Sequence, residues 1–410
     1  MAHATRPVSR YAAWLADGLE SAANRAVSNP ASLGVGADLI GLGGGQPATE
    51  SYPLRELERA YSRAILEHGP EVLPYGSTQG LPAIREIVAE RLARRGIHIG
   101  PESVVMLTGS IQGLHLVGRV TLDHGDTIVT EAPTFMGALA AWEHQQPRFL
   151  TIPVDDHGMR MDALEQGLAE TDQHPRFMYL LPTFQNPMGV SMTLDRRREV
   201  LEIASKHNLL IIEDDPYGEF WFDEKSGSIP PIRSLPGAEE RVVYLGTFSK
   251  ILAPGFRLAY AVAPPGMVEP LLRAKRGIDF HSDGLLQQAI VRLIRDPDFD
   301  LEAHIAAGRG LYKQRRDAML DALETTLSGS TWTRPGGGFF LWIDMPEHLS
   351  GDAVAATAQA EGVAVLPGSL FYPNGDGGFN GLRLSFSNAA PDRIREGIRR
   401  LQRAIATVAG

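Results

Sequence analysis

Short apolar runs alternate with amphipathic stretches through the middle of this chain. From about residue 100 the runs are Val104–Thr108, Thr127–Thr130, Phe177–Leu181, Leu209–Glu213, Val242–Gly246 and Leu258–Val262. They are rich in Val, Ile and Leu, and several end at clusters of small or polar residues, the mark of buried strands. Helical spacing fills the gaps, as in Gly113–Leu122 and Asp195–His207. Upstream, Tyr11–Val27, Leu54–Glu67 and Leu81–Arg95 read as helices, and a glycine cluster, Gly41–Gln46, lies between the first two. Strands alternating with helices predict an α/β fold with a mostly parallel central sheet covered on both faces. Ligands in such sheets sit beyond the carboxyl ends of the strands.

After Leu271–Arg295, predicted as one helical stretch, the texture changes. A long helix over Ala303–Leu327 leads to short strands at Phe339–Ile343, Glu361–Leu366 and Leu382–Phe386, and a closing helix over Asp392–Val408. This predicts a smaller α+β lobe at the C-terminal end.

Composition narrows the class. The 410 residues are 43% hydrophobic and 21% charged, which fits a globular chain. A net charge of −10 argues against nucleic acid or anionic lipid as partners. The chain has no cysteine, which excludes disulfides, thiolate nucleophiles and Cys-bound metals. It shows no secretory pattern near the start and no membrane-length apolar stretch, so the expectation is a cytoplasmic protein. Phosphate-loop, dinucleotide, Gly-x-Ser-x-Gly and His-Glu-x-x-His patterns are absent, and the 12 histidines lack metal-ligand spacing.

Candidate chemistry gathers at the strand ends. Lys250 follows Val242–Gly246 among Thr247 and Ser249, with Arg257 just beyond. A lysine so placed suits a phosphorylated carbonyl ligand and can form a Schiff base. Glu213-Asp214-Asp215-Pro216-Tyr217 ends the preceding strand. Its carboxylates could hold magnesium, or Asp214 could keep a pyridinium nitrogen protonated while Tyr217 meets a phenolic oxygen. Asn186 lies in the turn after Phe177–Leu181. Gly109-Ser110-Ile111 opens a helix whose N-terminus can grip a phosphate, and Phe135 sits where it could stack on a ring.

As a set, these residues resemble the class I/II aminotransferases, fold-type I pyridoxal-phosphate enzymes. The likeness is to the 2-aminoadipate/kynurenine aminotransferase branch. It runs from about Gly43 to the C-terminus through Pro74-Tyr75-Gly76, Gln79-Gly80-Leu81, Gly109-Ser110, Asn186-Pro187-Met188-Gly189, Asp214-x-x-Tyr217, Ser249-Lys250, Arg257 and Arg383. The resemblance implies pyridoxal 5′-phosphate as cofactor and no metal. It implies a Lys250 Schiff base through which amino groups pass from an α-amino acid to a 2-oxo acid. Asp214 would meet the ring nitrogen, Asn186 and Tyr217 the phenolic oxygen, and Phe135 the ring face. Ser110, Ile111, Ser249 and Arg257 would hold the phosphate, joined by Tyr75 from a second subunit of a homodimer. Arg383 would take the substrate carboxylate, with Gly45 and Asn186 beside it.

The same likeness implies an N-terminal arm over 1–50, a large cofactor-binding domain over 51–295 and a small domain over 296–410. Four positions depart from the usual pattern: Phe135 for Tyr, Met188 for Thr, Phe339 for Met and Thr247 for Ser. These substitutions leave a lyase, decarboxylase, cyclase or oxidase as the alternative on the same scaffold. A cofactor-sensing transcription regulator is less expected, because only about 40 residues precede Gly43 and a DNA-binding domain needs more.

Overall fold

The computed structural model describes residues 39–410, so the helix expected over Tyr11–Val27 and most of the 1–50 arm lie outside the described residues. The chain enters through a two-residue strand, β1 (Ile40–Gly41), and then runs through helices Leu54–Val72 and Pro82–Ala93. A large sheet follows, built from β2 (Val104–Leu107), β3 (Thr127–Ala132), β4 (Arg148–Asp155), β5 (Gly158–Met159), β6 (Phe177–Leu180), β7 (Leu210–Asp214), β8 (Val242–Thr247) and β9 (Ala259–Val262). Their spatial order is β2-β9-β8-β7-β6-β3-β4-β5.

Pairing is parallel from β8 through β7, β6 and β3 to β4, while β9 runs antiparallel to both β2 and β8. This topology decides where chemistry collects. The carboxyl ends of β2, β3, β6, β7 and β8 share one edge of the sheet, and the chain enters β9 at that same edge. Gly109, Phe135, Asn186, Asp214, Lys250 and Arg257 therefore converge there from distant parts of the sequence. The inner strands are apolar on both faces because helices cover both, and β2, β6 and β8 are buried at every position.

A second sheet orders as β10 (Thr331–Trp332), β11 (Phe340–Asp344), β14 (Gly381–Ser385) and β13 (Leu366–Pro367). It packs with the long helix Leu301–Thr326 and the closing helix Pro391–Ala409. β1 pairs in parallel with β12 (Val363–Ala364), so the start of the described chain is stitched to this C-terminal lobe.

Most strand expectations hold within about one or two residues. The single strand expected over Glu361–Leu366 is corrected to two, β12 pairing with β1 and β13 with β14, because the two halves find different partners. β1, β4, β5 and β10 are additions. The residues of β4 are mostly half-buried near the sheet edge, so its apolar pattern is diluted. The single helical stretch expected over Leu271–Arg295 is corrected to two helices, Pro265–Arg276 and Gly284–Ile294. Between them Phe280 adopts a left-handed backbone (φ 65°), and Asp283 caps the second helix through the N–H of Leu286 at 2.9 Å. The break is anchored by fully buried Lys275, which donates to Asp279 and Gln112 at 2.9 Å and to Ser282 at 3.0 Å. Those contacts outweigh continued helix.

Candidate active site

A cavity of about 340 Å³ opens at the carboxyl edge of the large sheet, against the face of β11 and β14. That is the scale of a small-molecule site. Ser110, Ile111, Phe135, Asn186, Asp214, Tyr217, Ser249, Lys250, Arg257, Gly45 and Arg383 all line it. Tyr75 does not. It is 88% exposed on the outer surface, edge-on to Phe280 with ring centroids 5.6 Å apart.

One end of the cavity is built for an anion. Gly109, at φ 83°, turns the chain from β2 into helix Ser110–Thr121, so the free N–H groups of the first helical turn face the cavity. A Cβ at Gly109 would collide with the Arg257 guanidinium, so the glycine is what lets that cation close over the helix end. Arg257 itself holds a left-handed backbone (φ 50°), a strain of about 1–3 kcal/mol that its placement offsets. Thr247 Oγ1 accepts from the Ser249 N–H at 3.0 Å and shares its single proton between Ser249 Oγ at 2.9 Å and the Leu258 carbonyl at 3.3 Å, which holds the Ser249 hydroxyl at the cavity wall.

At the opposite end lies Asp214, the last residue of β7. Its Oδ2 accepts a hydrogen bond from the Tyr179 hydroxyl at 2.9 Å. Burial pushes the Asp214 carboxyl up to about 7, with Asp215 adding to the rise while Tyr179 and Lys250 oppose it. A carboxylate so poorly hydrated seeks a cationic or N–H partner in the cavity.

Lys250 stands between the two ends. Its Nζ donates to the Gly45 carbonyl at 2.8 Å and lies 5.8 Å from the Tyr217 ring centre. Burial, reinforced by Arg257 and Arg383, pushes its ammonium down to about 8, against the pull of Asp214. A lysine tuned this way is still mostly protonated at pH 7 but has a neutral fraction of about one tenth, far more than an ordinary lysine, and that fraction is a nucleophile and proton acceptor.

Arg383 closes the far wall. Leu382 and Leu384 turn into the lobe's apolar core, and strand alternation points Arg383 at the cavity. Its Nη1 donates to Asn186 Oδ1 at 2.8 Å and its Nη2 to the Gly43 carbonyl. The guanidinium carbon sits 4.1 Å from the Phe340 ring centre and 5.0 Å from that of Phe371. Among the described residues its buried Nε–H has no partner, an open donor suited to a carboxylate. With Asn186 Oδ1 engaged, the Asn186 amide nitrogen is the end left to donate.

Two of the departures seen in the sequence are corrected by position. Phe340, rather than Phe339, lines the cavity. Phe339 is fully buried behind it, 5.3 Å from the Tyr217 ring and 4.6 Å from that of Tyr312. Met188 packs with the apolar cluster of Met136, Trp342, Leu366 and Phe371 and is not among the lining residues. Thr247, noted in the sequence as a departure, lines the cavity, whereas Phe340 and Tyr179 escape the sequence reading. Phe340 carries only its adjacency to Phe339 as a signal, and Tyr179 a lone hydroxyl in an apolar run.

The family model for aminotransferase class I and II matches residues 37–401. The chain belongs to that family. It is 39% identical over 374 residues to aromatic-amino-acid aminotransferase 1 of Thermococcus litoralis, covering 90% of this chain and 88% of the relative. The crystal structure of an α-aminoadipate aminotransferase from Thermus thermophilus, complexed with N-(5′-phosphopyridoxyl)-L-leucine, superposes with TM-score 0.86 at 37% identity, over 95% of this chain and 97% of that one. A Pyrococcus horikoshii kynurenine aminotransferase, solved with PMP, gives TM-score 0.90 at 37% identity over 98% of each chain. This class I/II aminotransferase has the fold-type I architecture and uses pyridoxal 5′-phosphate to transfer amino groups of amino-acid substrates.

The cavity fits that cofactor. An anion cradle, an aromatic wall, a lysine of lowered basicity and a buried carboxylate match the phosphate, ring face, carbonyl and ring nitrogen in that order. No helix among the described residues is long and apolar enough to cross a membrane.

Proposed function

We propose that this aminotransferase moves the amino group of an α-amino acid to a 2-oxo acid, with Lys250 as the catalytic lysine. The observation that carries the reading is the convergence of Lys250, Asp214, Arg257 and Arg383 on one cavity. Bound pyridoxal phosphate supplies a carbonyl carbon that receives the amino group and a ring that withdraws electrons from the substrate Cα. The residues of the chain bind, orient and move protons around it.

Ser110, the Ile111 N–H, Ser249 and Arg257 hold the phosphate, Phe135 stacks on the ring, and Asn186 and Tyr217 meet the phenolic oxygen. Asp214 holds a proton at the ring nitrogen. Arg383 grips the substrate carboxylate beside Gly45 and Asn186. Lys250, in its neutral form and steered by the Gly45 carbonyl, would shuttle the proton between the substrate Cα and the cofactor's former carbonyl carbon.

The active protein is a homodimer in the cytoplasm, with a large domain over 51–295, a small one over 296–410 and an arm before them. Tyr75 and Phe280, 88% and 47% exposed with ring centroids 5.6 Å apart, form an exposed aromatic pair that supports this assembly. In it Tyr75 reaches the partner's phosphate site, so each active site is shared between subunits.

The test is an absorbance scan with a panel of amino acids and 2-oxo acids, followed by product assay. Stoichiometric exchange of amino and oxo groups is expected. Release of ammonia, carbon dioxide or peroxide in place of exchange would overturn transamination and point to a lyase, decarboxylase or oxidase.

A further inference from the structure

Tyr179 is fully buried in β6, one strand away from Asp214, and its hydroxyl donates to Asp214 Oδ2 at 2.9 Å. The phenol cannot swing away. Its ring lies edge-on to Trp142 with centroids 5.1 Å apart, and the Trp142 indole N–H is tied to the Leu114 carbonyl at 2.8 Å. A Cβ on Gly118 would collide with the same indole, so Trp142 sits tightly between Tyr179 and helix Ser110–Thr121.

The other charged groups nearby are already engaged. Asp215 is matched by Arg95 at 2.6 Å and Tyr244 at 2.9 Å. Glu131 accepts from the Leu181 N–H at 3.0 Å and from Gln185 at 3.4 Å. Lys250 is held by Gly45. Tyr217, the remaining titratable neighbour, lines the cavity itself. Among the described residues Tyr179 is thus the one hydrogen-bond partner of the Asp214 carboxylate, and it keeps its proton because burial and Asp214 both raise its pKa far above the usual range.

We propose that Tyr179 is a positioning residue for amino transfer, fixing the ionised Asp214 carboxylate against the cofactor's ring nitrogen. The proposal rests on the reading of Asp214 as the ring-nitrogen partner. A phenol donor on Oδ2 stabilises the charged carboxylate and leaves Oδ1 for the ring. Without it, the shared proton shifts from the ring nitrogen toward Asp214, and the carboxylate gains freedom to turn. A supporting hydrogen bond of this kind fixes the geometry of the group that touches the ligand.

Tyr179→Phe in the holoenzyme, loaded with ring-15N pyridoxal phosphate, tests this. The phenyl ring keeps its contact with Trp142. Cofactor affinity is expected to fall about 10- to 100-fold, the range of one hydrogen bond to a charged group. The ring 15N resonance is expected to move toward unprotonated pyridine. In an Asp214→Ala background the same change should alter neither readout. Equal weakening in that background would show that Tyr179 supports only the fold and overturn the proposal.

If Asp214→Ala moves both readouts and Tyr179→Phe moves neither, the proposal falls and the Asp214 reading stands. If Asp214→Ala itself moves neither, the Asp214 reading falls and the proposal with it. Should Tyr179→Phe not fold, Trp142→Phe, which loosens the Tyr179 ring but keeps its hydroxyl, is expected to shift the resonance the same way. No shift there overturns the proposal.

Discussion

Replacing Lys250 with methionine should stabilise the cofactor-free protein, and by an amount that depends on pH. The Lys250 ammonium is pushed down from 10.5 to about 8 in the folded state. At about 1.36 kcal/mol per factor of ten, that fall corresponds to an upper bound near 3 kcal/mol. The amine borders a cavity, where solvent reduces the effect to about 2 kcal/mol. The sign follows from proton binding. Between about pH 8 and 10.5 the unfolded chain holds this proton and the folded chain does not, so wild-type stability rises with pH across that window.

Below about pH 8 both states are protonated, and the folded protein carries the full cost of a buried charge. Lys250→Met removes the titration. The variant should exceed the wild type by about 2 kcal/mol at pH 7, with the advantage shrinking toward zero by about pH 10.5. Denaturant melts of both cofactor-free proteins at one concentration, in steps from pH 7 to 10.5, measure the difference directly. A pH-independent difference, or one that grows with pH, refutes the electrostatic account of this lysine.

Two further outcomes are expected. Arg383→Lys should lower kcat/KM for α-amino acids by about 10- to 150-fold, because a point charge replaces a planar fork at a cost of about 1.5–3 kcal/mol. The loss should shrink for amines without an α-carboxylate, and steady-state kinetics on both substrate types checks this. Gly109→Ala forces a Cβ into Arg257 at a left-handed backbone position and should weaken cofactor retention at least about ten-fold, measured by equilibrium dialysis, with a smaller change in thermal stability.

Much of the site was legible because this sheet converts a one-dimensional pattern into a place. Each apolar run ended at a recognisable cluster, and parallel strands put those ends together, so Asp214, Asn186 and Lys250 were readable as neighbours before any geometry was known. What escaped the sequence depended on side-chain facing and on distant partners. Phe339 and Phe340 are adjacent on an alternating strand, and three preceding glycines give no register. Pairing of Phe340 with Ser385 decides which ring faces the cavity. The break after Arg276 depends on Lys275 finding Gln112, more than 160 residues earlier, which no local window contains. Tyr179 reads as one more apolar strand residue until its hydroxyl is seen to meet Asp214.

The pairing of β1 with β12 sets a timetable for synthesis. Ile40 lies beside Val363, and Leu42 is bonded on both sides by the C-terminal lobe, from its N–H to Ala364 and from its carbonyl to Ser385. Immediately beyond, Gly43 and Gly45 offer the carbonyls that hold Arg383 and Lys250. A segment made early therefore has to wait for partners made roughly 320 residues later, about 16–65 s at ordinary elongation rates. During that interval the large sheet can form while the cavity still lacks its inner wall. The catalytic pocket is consequently among the last parts of the nascent protein to be finished, and nothing short of a chain translated past Ser385 can assemble it.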